Sequence, residues 1–472
     1  MTARTGVPGV TITSGLVDWQ VLPREADDTA TVLLRGTVSP AAISPEPPFT
    51  FTAVEAEVTV SARVVSELDG GAVVPWVRAT LAPDASWEVT LRLPVGGGYR
   101  VETQLEQAGG NGYSLTRGDL VHHVAVGDLY LVIGQSNASG RARDRVVDGP
   151  QLGVHHYRAD GTWALAAHPL NDGTRAVHTG HFENHNTGHS PALHFAKRVA
   201  VGSGVPVGLV MASFGGSPLR WWVDGGELAP LAENALEMMA AAGGRPRGVL
   251  WYQGEADCFE LSTADYAERF AMLVALLRTR LETPTLPFYT AQLARCTMQV
   301  EDDQDSQWGM LREQQRQAAH RLDGVHLVPT GDLPLYDFIH LSSAANLVLA
   351  DRLADAALAE GYGLPRDWRA PEPVEVARSD ARTVRLAFAP IRNWINDYGL
   401  PVARCPFTIV DSDGTVPLAG WSVEGHSIVL SLARELSGAA FAHGMWQMDH
   451  GGIVPADCTR LPFLSFYGVP VR

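Results

Sequence analysis

The sequence predicts an α/β protein on a mostly parallel sheet, with one β-rich region before it and another after it. Three observations carry this. From about Val126 to Gly361 short apolar runs alternate with helix-like stretches, the pattern of βαβ units with helices on both faces of a sheet. The region before it holds β-branched, partly alternating runs broken by turns, as in a β-sandwich. Short strand-like runs return beyond Pro373. The 472 residues accordingly divide into 1–122, 123–367 and 368–472, each within the usual size range of a domain.

In the first region ATVLLRGTV, FTAVEAEVTV and SWEVTLRL read as strands, and PVGGG is expected to turn the last of them back into YRVETQLEQ as a hairpin. Pro40, Pro45, Pro47, Pro48 and Pro83 interrupt the longer helical candidates. The central strands are DLYLVIG, VPVGLVMASF, GVLWYQG, LPFYTAQLA and GVHLVPTGD. Between and after them lie the helices PALHFAKRVA, LAPLAENALEMMAAA, TADYAERFAMLVALLRTRL, WGMLREQQRQAAHRL and SSAANLVLADRLADAALAEG. The third helix has a start signal in Ser262 or Thr263 ahead of Asp265, and a stop at Pro284. LPRDWRAPEPVEV reads as a linker. Beyond it TVRLAFAP, CPFTIVDSDGTVP and HSIVLSL read as strands, with DSDG as a hairpin turn. No fixed-period repeat is visible.

Composition narrows the function classes. Hydrophobic residues are 46% and charged residues 19%, which excludes a largely disordered chain. The formal charge of −16 argues against a partner that is nucleic acid or an anionic membrane. A single lysine, Lys197, stands among the basic residues, a skew that reads as coding bias. No apolar run approaches the ~18 residues of a membrane span. The start lacks a basic segment followed by an apolar one, so a cytoplasmic location is expected, or a secreted one if a leader was removed. Cys258, Cys296, Cys405 and Cys458 lack zinc-site spacing. Pairing of Cys258 with Cys296 and of Cys405 with Cys458 stays open, and buried free thiols are the expected state.

In an open α/β sheet, ligands bind beyond the carboxyl ends of the strands. Gly134-Gln135-Ser136-Asn137 follows the first central strand, Ser213-Phe214-Gly215-Gly216-Ser217 the second, and Gln253-Gly254-Glu255-Ala256-Asp257 the third. After the fifth, Asp332 and Asp337 precede His340. These segments supply a hydroxyl nucleophile, glycines that admit backbone N–H groups to a ligand, a carboxamide, and an acid–histidine pair, which are the parts acyl transfer needs.

Taken together, GQSN, the GG after strand two, WYQGEAD and DFIH resemble the four blocks of the sialate O-acetylesterase and carbohydrate acetylesterase branch of the SGNH hydrolases. The resemblance covers about Val126 to Gly361. It implies a flavodoxin-like three-layer α/β/α domain flanked by accessory β-sandwich-like domains. It implies Ser136 as nucleophile, His340 as general base and Asp337 as the acid that orients it. It also implies an oxyanion hole made of the Ser136 N–H, a Gly215 or Gly216 N–H, and the Gln253 side chain. Neither metal nor organic cofactor is implied. The expected substrate is an acetylated carbohydrate. Ala138 stands where the family often has Met, and Leu341-Ser342-Ser343-Ala344 replaces its usual Pro and Lys after the histidine. Both departures bear on substrate choice.

Several alternatives stand beside this reading. Asp332 rivals Asp337 as the acid. Glu255 and Asp257 together suggest a carboxylate-pair glycosidase, but that would leave Ser136 and His340 unused, so Glu255 reads as a buried acceptor and Asp257 as a loop residue. The tract His178, His181, His185, His189 and His194 suggests a metal cluster or, with its glycine and asparagines, a polar loop on the active-site rim. Trp221-Trp222 reads equally as a sugar platform or as cover for the glycine turn. At the level of function, the alternatives are an esterase for lipid, aryl or thioester substrates and a catalytically decayed carbohydrate-binding protein. Oligomeric state has no signature.

Overall fold

The computed structural model describes residues 9–38, 57–109, 112–178, 187–224, 230–300 and 304–472. The first half of the FTAVEAEVTV run, four of the interrupting prolines (Pro40, Pro45, Pro47 and Pro48), His181 and His185 lie outside them.

In the first region two sheets share one apolar core. One sheet orders Val10–Ser14, Thr29–Val38, Ser86–Pro94 and Thr80–Leu81. The other pairs Glu57–Ser66 with Ala72–Arg78 and with Gly96–Gly109, which in turn pairs with Gly112–Gly134. Inward-facing residues alternate along Thr29–Val38 and Ser86–Pro94, and Leu34, Val60, Val64, Trp87, Leu91 and Val101 meet between the sheets. The expected hairpin through PVGGG does not form. Ser86–Pro94 pairs with Thr29–Val38, whereas Gly96–Gly109 belongs to the opposite sheet. The glycines thus serve a crossover between sheets, which lets both amphipathic strands turn their apolar faces into the same core.

Strand Gly112–Gly134 runs on into the central domain, so the expected boundary at 122/123 falls inside a single strand, beside His123 with φ 58°. Its second half is the middle of the central sheet. The order there is Trp163–Leu165, Val154–Tyr157, Val207–Met211, Gly112–Gly134, Pro246–Tyr252, Phe288–Ala291 and Val325–Val328. All neighbours are parallel except the edge pair Val154–Tyr157 with Trp163–Leu165. That pair was not anticipated from the sequence. Helices Pro191–Ser203 and Ser343–Tyr362 pack together on one face, and Leu231–Ala242, Tyr266–Arg280 and Gln304–Arg321 cover the other. The third helix starts at Tyr266, with Asp265 at its N-cap position. The chain leaves the middle strand toward one edge and returns to build the other. The switch point, where such sheets open a crevice, lies at Gly134 between the ends of Val207–Met211 and Pro246–Tyr252.

The last region again has two four-stranded sheets, one of Glu372–Asp380, Thr383–Ala389, Ser427–Leu432 and Leu418–Glu424. The second contains Gly414–Val416, Phe407–Asp411, Phe441–Gly444 and Phe466–Pro470. DSDG is the expected hairpin turn, with Asp411 opposite Gly414. The segment read as a linker is anchored: Trp368 is buried edge-on against His326 and donates to Glu360. Arg312 joins the regions, donating to the carbonyls of Leu293 and Ala294 and to those of Met445, Trp446 and Gln447. All four cysteines are free, Cys258 and Cys296 fully buried. No helix among the described residues is long and apolar enough to cross a membrane.

Candidate active site

Ser136, Gly215, Gly216 and Gln253 sit just past the ends of strands, and Asp337 and His340 lie in the longer loop between Val325–Val328 and the last helix. Backbone bonds continue the sheet into the site: Gln135 N donates to Tyr252 O and Phe214 N to Gly134 O, each at 2.9 Å. Gly134 has φ 128°, and a Cβ there would lie 2.1 Å from Tyr252 O. Only glycine therefore lets the chain turn here into the short helix Ser136–Ser139. Ser136 is half-buried at the start of that helix and faces a cleft of about 500 Å³. Gly215, Gly216, Glu255, Phe259 and His340 line the same cleft. Gly216 has φ 69°, as the turn after the second strand requires.

His340 lines the cleft and is held by Asp337, which is not among the residues lining it. Its Nδ1 lies 2.7 Å from Asp337 Oδ2, while Asp337 Oδ1 accepts from the backbone N–H groups of His340 and Ile339 at 2.7 and 2.9 Å. Partial burial opposes ionisation of Asp337, but the bonds from His340 and from the two amides outweigh it and hold its pKa below the usual value. The rival Asp332 is engaged elsewhere, in a two-point ion pair with Arg352 at 2.8 and 2.6 Å.

Gln253 lies away from the expected place. It is fully buried and does not line the cleft. Its Nε2 donates to Ser217 O at 3.1 Å, to Gln135 Oε1 at 3.2 Å and to the Asp257 carboxylate. That amide braces the three strand-end segments against one another. Asp257 is likewise no loop residue. It is buried in helix Glu255–Phe259 and accepts from Leu219 N at 3.0 Å. Burial pushes its pKa up to about 6, against the hydrogen bonds that lower it. Glu255 is the buried acceptor expected, taking a 2.7 Å bond from Asn137 Nδ2. Burial raises its pKa to about 7. As a glycosidase pair the two carboxyls fail, since Asp257 is spent on Leu219 and Gln253 and does not line the cleft.

Trp222 is cover, fully buried, donating to Ser217 Oγ and edge-on to Trp251. Trp221 packs near Phe214 and does not line the cleft. Of the described histidines of the tract, His178 stands apart, whereas His189 and His194 both reach Asp148. His178 approaches Glu237, and His194 approaches Asp351 at 3.2 Å and Asp148 at 3.7 Å. His189 joins His168 at Asp148 Oδ2, 3.1 and 3.0 Å away. These three offer converging ligand atoms, but Lys197 also pairs with Asp148. The carboxylate thus already has a cation, and the cluster works as an internal ion-pair hub. Burial opposes ionisation of Asp148, and the bonds from His168, His189 and Lys197 overcome it, holding its pKa far below the usual value.

Cleft residues that the sequence did not single out are Arg141, Phe259, Glu260 and Ile339. Arg141, five residues past Ser136, is buried, a property the sequence does not show.

Residues 126–359 match the family model described as carbohydrate esterase, sialic acid-specific acetylesterase. The central domain belongs to this family. It is therefore a carboxylic ester hydrolase of the carbohydrate esterase kind. A probable carbohydrate esterase of Arabidopsis thaliana is 28% identical over 251 residues, 49% of this chain and 90% of that protein. The crystal structure of a carbohydrate acetylesterase from Xanthomonas citri superposes with a TM-score of 0.66 at 22% identity. It covers 97% of this chain and 99% of that one, so the likeness in fold extends beyond the esterase domain. A structure of an Arabidopsis thaliana protein covers 50% of this chain and 98% of its own, at 26% identity and a TM-score of 0.42.

Proposed function

We propose that this carbohydrate esterase removes O-acetyl groups from a sugar by serine catalysis of the SGNH type. Ser136 is the nucleophile, His340 the base and Asp337 the orienting acid. The observation that carries the reading is the 2.7 Å bond from His340 Nδ1 to Asp337, with Ser136 and His340 both lining the cleft.

Ser136 Oγ attacks the acetyl carbonyl carbon as His340 Nε2 takes its proton. Asp337 fixes the tautomer that leaves Nε2 free and stabilises the imidazolium that forms. The oxyanion is held by the Ser136 N–H and a Gly215 or Gly216 N–H, with Gln253 acting beneath them as a brace. Collapse expels the sugar oxygen, which takes the proton from His340. Water, deprotonated by the same histidine, then releases acetate and restores Ser136.

The choice of sugar rests on the cleft, where Arg141 is a basic side chain within reach of an anionic glycan and Phe259 offers an aromatic surface. With a net charge of −16 the protein gains no long-range attraction for sialosides, so any preference for them falls to such local groups. The test is acetate release from acetylated sialosides, acetylated neutral glycans and aryl esters of increasing acyl length, by wild type and Ser136→Ala. Wild type is expected to release acetate and to reject long acyl chains. Most of the activity surviving in Ser136→Ala would overturn the proposal.

A further inference from the structure

We infer that Asn137 is a positioning residue that fixes His340 relative to Ser136, and that Glu255 holds Asn137 in its working orientation; this rests on the Ser136–His340 reading above. Asn137 directly follows Ser136, and its side chain is buried. Its Oδ1 accepts from Leu341 N at 2.9 Å, and its Nδ2 reaches Ile339 O at 3.4 Å. One amide thus spans both backbone neighbours of His340. The residue beside the nucleophile is tied to the residues on either side of the base.

A primary amide fits such a place in two ways, and only one is productive. Flipped, Asn137 would point its NH₂ at the Leu341 N–H and its oxygen at the Ile339 carbonyl. The long contact to Ile339 is too weak to choose between them. The Leu341 N–H, bonded to Oδ1 at 2.9 Å, opposes the flip, and Glu255 reinforces that orientation. Its Oε1 takes the 2.7 Å bond from Nδ2, and that oxygen accepts whether the carboxyl is ionised or carries its proton on Oε2.

Glu255 gives little to stability in return. It is 2% exposed, and its Oε2 is buried without a hydrogen-bond partner among the described residues. An unsatisfied buried oxygen is costly, and an apolar residue of similar size would remove that cost. What such a residue could not do is orient Asn137. On the other flank of Ser136, Gln135 Oε1 accepts from the N–H groups of Gly254 and Ala256 at 3.3 Å. Both neighbours of the nucleophile are therefore registered against the segment that carries Glu255.

The experiment compares Asn137→Ala, Glu255→Leu, Glu255→Gln and the double variant Asn137→Ala/Glu255→Leu, with Ser136→Ala in the same series. Steady-state rates, phosphonate labelling of Ser136 and melting temperature are read for each. Asn137→Ala and Glu255→Leu are each expected to lower kcat on the order of 100-fold, the scale of a misplacement of about 1 Å, with KM within a few-fold. Labelling should slow in parallel. The double variant should be no worse than Asn137→Ala, because Glu255 acts through it. Glu255→Gln, which keeps an acceptor, should recover most of kcat. Losses that multiply in the double variant, or that fall on KM alone, would overturn the inference. If Glu255→Leu does not fold, Asn137→Ala with wild-type kcat and labelling rate overturns it by itself. An active Ser136→Ala would sink the serine reading, whereas a dead Ser136→Ala beside an unimpaired Asn137→Ala sinks only this inference.

Discussion

Arg352 grips Asp332 through both carboxylate oxygens, at 2.8 and 2.6 Å, and so removes it from the neighbourhood of His340 chemistry. Asp337 is left to bond His340 at 2.7 Å. The two aspartates should therefore fail in different ways. Asp337→Asn is expected to lower kcat by roughly 10³–10⁴-fold, as an amide there favours the wrong histidine tautomer, with little change in melting temperature. Asp332→Asn should instead cost about 1–3 kcal/mol of stability by weakening the ion pair of a nearly buried arginine, with kcat within a few-fold. Rates and thermal melts of both variants separate the cases, and the reverse pattern would make Asp332 the acid.

Gln253 offers a second discrimination. A side chain that donates to the oxyanion is worth about 10²–10³ in kcat. The Gln253 amide is instead committed to Ser217, Gln135 and Asp257. Gln253→Ala is therefore expected to lower the melting temperature, by leaving Asp257 short of a donor, and to reduce kcat less than about 10-fold. A fall of 10²-fold or more with unchanged stability would return Gln253 to the oxyanion hole.

What the sequence made legible were features that local chemistry dictates. The five central parallel strands and their helices were readable because buried strands are continuous apolar runs. The acid–histidine pair was readable because Asp337 and His340 are close in sequence. Two kinds of feature were not. PVGGG has every local mark of a hairpin, and only the competition of two sheets for apolar faces sends Gly96–Gly109 to the opposite layer. The strand Val154–Tyr157, next to the edge, contains two histidines, so it reads as polar, yet His155 is buried and bonds Trp19 O at 2.7 Å. Similarly, nothing local to Gln253 or Asp257 shows that each is spent on a neighbouring loop. Such partners are set by tertiary contact alone.

Glu255 predicts a pH dependence of stability. Its folded pKa is about 7 against an ordinary 4.5, raised by burial. The native state therefore holds this proton more tightly than the unfolded chain does. The resulting stability is fully present below about pH 4.5 and is lost as pH rises through about 7, up to about 3 kcal/mol. Asp257 and Tyr252, which also face Glu255, are present in both proteins compared. Glu255→Gln removes this titration. Its melting temperature relative to wild type should therefore be higher at pH 8 than at pH 5. A difference independent of pH would mean that Glu255 is not buried as a titrating acid.

The final prediction concerns the C-terminal region, whose contribution to the site runs through Arg312. That guanidinium is fully buried, and burial lowers its pKa to about 10. Its bonds to the carbonyls of Met445, Trp446 and Gln447 fix the segment that continues to Met448. Met448 O then accepts from Cys296 N at 2.9 Å, and Thr297 N donates to Phe338 O at 2.8 Å, two residues before His340. The C-terminal region thus props the loop that carries His340. Arg312→Met would strand five carbonyls and release that prop, each carbonyl left unsatisfied costing about 1–3 kcal/mol. The expected result is early proteolytic loss of the C-terminal region together with slower phosphonate labelling of Ser136, both below the temperature of global unfolding. Labelling that stays at the wild-type rate after the C-terminal region has been cut away would show that the His340 loop stands without it.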